Sequence, residues 1–284
     1  MLTFTRKVNA NGLAFAVRMF GEGNRLALML HGFPDDADSM APVARRLAQA
    51  GFTVAAPFLR GYQPTEVPAD GRYDLVALAE DVVQLVPALG FERAVLIGHD
   101  WGAAIAYAAS GLAPARFERV LALSVPPVPT FVRNLRRDPG QVRRSAYMLR
   151  FQLPLAARAL RAHDFAGIEA LWTRWSPGWQ PPAERLGEVK STLAADGTLD
   201  AALGYYRALR PRFIGARRWQ AARALAWRPL SRPTRAMVGA RDGCIAPALF
   251  TGAPCPVITV PDAGHFLPLE APDAIVHHLL EWES

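Results

Sequence analysis

Three residues in this chain have the types, order and settings of a nucleophile and its two helpers. Asp100 is the centre of Gly98-His99-Asp100-Trp101-Gly102, which stands between a short apolar run, Ala94 to Ile97, and a helix-forming stretch. A residue at such a strand-to-helix turn is presented at its tip. Small residues at 98 and 102 permit the tight backbone, and the following helix N-terminus favours negative charge at 100. Asp is also a common helix cap, so the turn alone assigns no role. Asp242, in Val238-Gly239-Ala240-Arg241-Asp242, and His265, in Asp262-Ala263-Gly264-His265-Phe266, each follow a further strand-like run. Nucleophile, acid and histidine in that order suit a site where the acid orients an imidazole toward the nucleophile.

An aspartate nucleophile selects the reaction. A serine alkoxide attacks carbonyl carbon, whereas a carboxylate displaces a leaving group from saturated carbon. The product is an ester of Asp100, which water activated by His265 hydrolyses while Asp242 steadies the imidazolium. Hydrolysis raises an oxyanion that needs backbone N–H donors. Trp101, next after Asp100, supplies one; Phe33, in His31-Gly32-Phe33-Pro34 after the apolar run Leu26 to Leu30, is placed to supply the other. Gly32 permits that turn, and a cis bond before Pro34 suits it.

Positioning these groups requires a sheet whose strands end together. Leu2 to Val8 and Leu13 to Met19 flank Asn11-Gly12, a hairpin signal. Strands at Leu26 to Leu30, Thr53 to Pro57, Ala94 to Ile97 and Arg119 to Ser124 then alternate with helices at Ser39 to Ala50, Leu75 to Leu89 and Gly102 to Ser110. That alternation implies right-handed crossovers and a mostly parallel sheet. It breaks at Val125-Pro126-Pro127-Val128-Pro129, and the strands resume only at Thr234 to Gly239 and Val257 to Val260, before a last helix at Pro272 to Trp282. The expected organisation is α/β: a core of residues 1–128 and 233–284, with a helical lid of residues 129–232.

The 284 residues are 51% hydrophobic and 20% charged, the composition of a folded globular chain. No signal pattern and no membrane-length apolar run is present, so a cytoplasmic protein is expected. Cys244 and Cys255 have neither framework nor metal spacing and are read as packing residues. The net charge of +7 thickens at Arg133, Arg136, Arg137, Arg143, Arg144 and Arg150. Without a binding motif or interleaved aromatics this run is expected to be a solvated lid face, with no nucleic-acid partner.

Together these motifs resemble the soluble epoxide hydrolases of the α/β-hydrolase superfamily, over nearly the whole chain. The resemblance rests on His31-Gly32-Phe33-Pro34, Gly98-His99-Asp100-Trp101-Gly102-Ala103, the late Asp242 and His265, and two lid tyrosines. Tyr147 stands in Ser145-Ala146-Tyr147-Met148-Leu149-Arg150-Phe151-Gln152-Leu153-Pro154 and Tyr206 in Gly204-Tyr205-Tyr206-Arg207. It implies a cofactor-independent hydrolase acting on ether bonds. Tyr147 and Tyr206 would be acids on the epoxide oxygen, with Phe33, Trp101 and Phe151 against the substrate. No metal is implied, and the only partners expected are a small epoxide and at most a second copy of the chain. Three departures stand out: Asp35 where the family often has Glu, Asp36-Ala37-Asp38-Ser39-Met40 in place of a tryptophan-containing segment, and Phe58 where Asp is common. They bear on pocket shape. A haloalkane dehalogenase would share Asp100, His265 and Trp101 but needs a second halide donor near Phe33. A haloacid dehalogenase of the fluoroacetate type resembles the chain at His31-Gly32-Phe33-Pro34 but places Arg after the nucleophile, where Trp101 stands, and a non-catalytic relative would lack part of the triad.

Overall fold

A computed structural model describes residues 3–282. Leu2, at the start of the expected first strand, lies outside them. The hairpin forms as β1 (Thr3–Ala10) and β2 (Leu13–Phe20), with positive φ at both Asn11 and Gly12, the residues best able to adopt it. Next come β3 (Arg25–Leu30), α1 (Ala41–Gln49), β4 (Phe52–Pro57), α2 (Leu75–Ala88), β5 (Ala94–His99), α3 (Trp101–Leu112) and β6 (Phe117–Leu123). The expected helix at Ser39 to Ala50 begins instead with a 3-10 turn, Ala37–Met40, because Pro42 suits the first turn of α1.

Between β6 and β7 (Thr234–Gly239) the described chain has helices only. They are α4 (Val128–Leu135), α5 (Pro139–Arg144), α6 (Tyr147–Arg150), α7 (Ala156–Trp175, interrupted at 162–165), α8 (Ala183–Ala194), α9 (Thr198–Arg207), α10 (Pro211–Ile214) and α11 (Ala216–Ala226). β8 (Val257–Val260), α12 (Leu267–Glu270) and α13 (Pro272–Glu281) finish the chain. No described helix is long and apolar enough to cross a membrane.

The eight strands form one sheet in the order β1-β2-β4-β3-β5-β6-β7-β8, antiparallel at β1·β2 and β2·β4 and parallel thereafter. Every residue of β4 and β5 is buried, the mark of parallel strands covered on both faces. α1 packs with α13, and α2 with α3, as the two covering layers. Each fully buried Leu, Ile or Val here contributes about 1.5–3 kcal/mol. The parallel strands β3, β5, β7 and β8 therefore deliver their following loops to one carboxyl edge, where ligands of open α/β sheets gather.

Candidate active site

Asp100 follows β5 with φ 52° and ψ −116°, a strained conformation for a residue with a side chain. It occupies the helix-cap position of α3, yet its carboxylate makes no capping bond. Instead Oδ1 accepts the Phe33 N–H at 2.9 Å, from the loop after β3. This removes simple capping as its role. The elbow requires bare backbone on its neighbours: a Cβ on Gly102 would collide with the Leu30 carbonyl, and one on Gly32 with the Asp100 side chain. The Phe33–Pro34 bond is cis, as the turn suggested.

The loop after β7 carries Asp242, whose Oδ2 meets His265 Nδ1 at 2.9 Å, while its Oδ1 accepts the N–H groups of Cys244 and Ile245 at 2.8 Å each. His265 Nε2 stands 3.6 Å from Asp100 Oδ2, an ion pair too long for a hydrogen bond. The His265 carbonyl accepts from Ser124 Oγ at 2.7 Å and lies 2.8 Å from His99 Nε2; its N–H donates to Ser176 Oγ. These holds fix the imidazole between two carboxylates.

Charge follows from that arrangement. Burial disfavours an imidazolium at His265, but Asp242 and Asp100 outweigh it and push its pKa up to about 10. Burial likewise works against the Asp100 carboxylate; His265, His99 and the Phe33 N–H overcome it and hold the group below its usual range. The resting site is an ionised Asp100 beside a protonated His265. Burial depresses His31 to about 4, leaving it neutral, and its Nε2 accepts the Leu59 N–H at 3.0 Å. Its other nitrogen, Nδ1, then carries the hydrogen and donates to the Gly32 carbonyl at 3.0 Å, bracing the Phe33 turn.

Tyr147 and Tyr206 come together above Asp100, with ring centroids 5.9 Å apart, and both line a cavity of about 490 Å³ that reaches Asp100 and Trp101. Burial first, and then neighbours including Asp100, raise both phenols well above 10, so they remain proton donors. The ambiguity between adjacent tyrosines resolves by direction. Tyr205 donates to the Arg60 carbonyl at 2.8 Å, whereas the Tyr206 hydroxyl proton has no acceptor among the described residues and its oxygen faces the Trp101 side chain. Trp101 opens α3, so its N–H is one that the helix leaves without an acceptor.

Other expectations are displaced. Phe33 and Phe151, expected to touch substrate, do not line this cavity; they pack edge-on against Tyr206 at 5.6 and 5.0 Å and back it. The lid tryptophans Trp172 and Trp175 are buried seams between lid and core. Trp172 donates to the Pro34 carbonyl at 2.8 Å, and Trp175 packs on His265. Arg136 is exposed, as expected of its run, and the end of α4 also brings it to the cavity lining.

Two residues escaped sequence reasoning. Gln141, fully buried in α5, donates to the Cys244 carbonyl at 2.6 Å and accepts the Ala246 N–H at 3.0 Å, joining the lid to the Asp242 loop. Cys244, a free thiol, lies 3.5 Å from the Tyr147 hydroxyl. No local pattern marks either one, since each acts on a partner about a hundred residues away.

The signature of the alpha/beta hydrolase fold family matches residues 28–272. Epoxide hydrolase A of Mycobacterium tuberculosis is 31% identical over 98% of this chain and 96% of its own. The AB hydrolase superfamily protein YfhM of Bacillus subtilis is 30% identical over 96% of this chain and 95% of its own. Among solved structures, the Bacillus megaterium epoxide hydrolase in complex with an inhibitor superposes with TM-score 0.82 at 25% identity, covering 98% of this chain and 99% of that one. Epoxide hydrolase A from Mycobacterium thermoresistibile gives 0.81 at 28% identity, with 99% and 98% covered. With sheet order, elbow and whole-length similarity in agreement, the chain belongs to the α/β-hydrolase superfamily and, within it, to the epoxide hydrolase family.

Proposed function

We propose that the protein adds water to an epoxide to give a vicinal diol through an alkyl ester of Asp100. The observation that carries this reading is an ionised carboxylate sharing one cavity with two buried phenols kept protonated. An oxirane needs both at once, because its oxygen leaves carbon only when it is hydrogen-bonded or protonated as the ring opens. Oδ1 is held by Phe33, so Oδ2 is the attacking atom. It bonds to one ring carbon, that carbon–oxygen bond breaks, and Tyr147 and Tyr206 donate to the departing oxygen.

Esterification neutralises Asp100 and so removes one of the two carboxylates that hold the His265 proton. With Asp242 alone beside it, the imidazole passes its Nε2 proton by way of the phenols to the alkoxide and becomes a base. Nε2 takes a proton from water, whose oxygen attacks the ester carbonyl carbon. Negative charge gathers on Oδ1 before the Phe33 and Trp101 N–H groups; as it collapses, the ester oxygen leaves with the proton held at Nε2, the diol departs, and the Asp100 proton returns to His265. The diol oxygen that was the ester oxygen came from Asp100, and water restores the carboxylate. Residues 129–232 serve as the lid that brings the phenols. The scheme calls on no metal or organic cofactor.

A dehalogenase would need two halide donors. Trp101 offers an indole N–H in the cavity with Asp100, whereas that of Trp172 is spent on Pro34 and position 33 has a phenyl ring. The test is to incubate the protein with styrene oxide, an aliphatic epoxide, 1-bromobutane and fluoroacetate, and to measure diol and halide in parallel. Diol without halide is expected; halide without diol would overturn the reading.

A further inference from the structure

The positive charge of the chain is gathered in one stretch. Residues 129–232 contain eighteen arginines and one lysine against seven acidic residues, an excess of twelve in a chain whose total is +7, so the remainder is net negative. Residues 201–232 are more extreme, with eight arginines and no acidic residue. Three of the eight are spent on structure: Arg207 pairs with Asp200, Arg228 donates to the Gly111 carbonyl and Arg232 to that of Glu118. The other five, Arg210, Arg212, Arg217, Arg218 and Arg223, are exposed and have no carboxylate partner among the described residues.

Exposed apolar side chains interleave with these five. Seven of the ten large apolar side chains exposed among the described residues lie within 129–232, and three of those, Leu209, Phe213 and Trp227, flank α10 and α11. Leu209 and Trp227 stand with Arg223 at the mouth of the cavity that reaches Asp100. α11 packs on α2 and α3 with Ala222 and Leu225 buried, which leaves its arginines to the outside. Trp219 of α11 donates to the Leu209 carbonyl at 2.9 Å and ties the turn before α10 to α11. A lone exposed leucine is ordinary, but several large apolar side chains on one cationic face mark an interaction surface.

That mixture selects the partner. A bilayer with anionic headgroups offers phosphates to the guanidiniums and, just beneath them, an apolar layer to Leu209, Phe213 and Trp227. Nucleic acid matches the charge but stacks its bases on open aromatic faces. Here Arg212 lies 4.5 Å over the Phe213 ring and Arg223 5.5 Å over that of Trp219. A second copy docking by the same face would oppose like charges. We propose that the α10–α11 face is a docking surface for an anionic phospholipid bilayer, which holds the protein peripherally with the cavity mouth toward the lipid. This docking does not depend on which reaction Asp100 performs.

The experiment sediments the full chain with vesicles of phosphatidylcholine alone and with vesicles containing about one-third phosphatidylglycerol, at about 0.1 M salt. Wild type should bind the anionic vesicles at least about tenfold more tightly, and added salt should weaken that binding. Each arginine at such a surface contributes about fivefold, so R212Q/R217Q/R218Q should lose about a hundredfold. F213S should weaken binding while leaving its salt dependence unchanged. All four residues are exposed and none lines the cavity, so circular dichroism and thermal midpoints of both variants should match wild type. R6Q/R45Q/R93Q removes the same charge from exposed positions outside 129–232 and should lose far less. No binding by wild type, equal binding to neutral and anionic vesicles, or equal loss in the two triple variants overturns the docking surface. Binding of poly(U) without binding of vesicles also overturns it and reassigns the face to nucleic acid.

Discussion

At the scale of single residues, the site divides its work between a charge pair and two neutral donors. On the proposed route His265 is a proton reservoir in the resting protein and a base only after Asp100 is alkylated, so the halves of the reaction should separate on replacing it. His265→Gln should leave alkylation intact and block hydrolysis; intact-protein mass spectrometry should find the mass of one epoxide added at Asp100. Absence of any adduct with a substrate that wild type turns over contradicts the two-step scheme. The tyrosines should differ in degree. On the proposed route Tyr206, whose hydroxyl proton has no acceptor among the described residues, meets the oxirane oxygen directly, whereas Tyr147 shares its hydroxyl with the Cys244 thiol. Tyr206→Phe should slow single-turnover alkylation more than Tyr147→Phe, and the double variant should lose about a hundredfold to ten-thousandfold. Normal alkylation in the double variant would strip both of the acid role.

At the scale of elements, the helices of residues 129–232 are locked to the rest of the chain by buried polar bonds as well as by apolar seams. Arg185 of α8 reaches Asp36 in the loop after β3 with bonds of 2.7 and 2.6 Å, and Thr192 donates to the same carboxylate at 2.7 Å. Asp36 belongs to the segment that departs from the family pattern, and this ion pair is the use made of it. Removing one partner strands a buried charge. Arg185→Ala should therefore cost about 3–5 kcal/mol in denaturant unfolding, whereas replacing both residues by leucine should recover most of that loss. A cost below about 1 kcal/mol would show that the pair is solvated like a surface contact. Gln141 performs a quieter version of this function, fastening α5 to the loop that positions Asp242.

At the scale of the whole molecule, the proton on His265 links the site to stability. The folded protein keeps that proton up to about pH 10, while an unfolded histidine releases it near 6.5. Its contribution is thus fully present below pH 6.5 and is lost as pH rises toward 10. Between about pH 7 and 9 unfolding releases close to one proton, worth about 1.4 kcal/mol per pH unit. Denaturant midpoints should fall steadily across that range in wild type and less steeply in His265→Gln; a flat wild-type profile would mean that the resting imidazole is neutral.

The sequence by itself determined the sheet, the elbow and the order of Asp100, Asp242 and His265. Those signals are local: an apolar run, a turn that only small residues allow, and a helix after it. Even the tyrosine-bearing lid segments were legible through resemblance. What only the tertiary structure decided is direction. Tyr205 and Tyr206 are adjacent on one helix and differ by about 100° of rotation, so although both line the cavity, packing alone commits the Tyr205 hydroxyl to the Arg60 carbonyl and leaves that of Tyr206 without an acceptor among the described residues. Trp172 and Trp175 form seams between lid helices and core, and Arg136 stands exposed beside the cavity, for the same reason. A side chain's neighbours across a hundred residues depend on how the lid helices pack on the sheet, and no short window of sequence encodes that geometry.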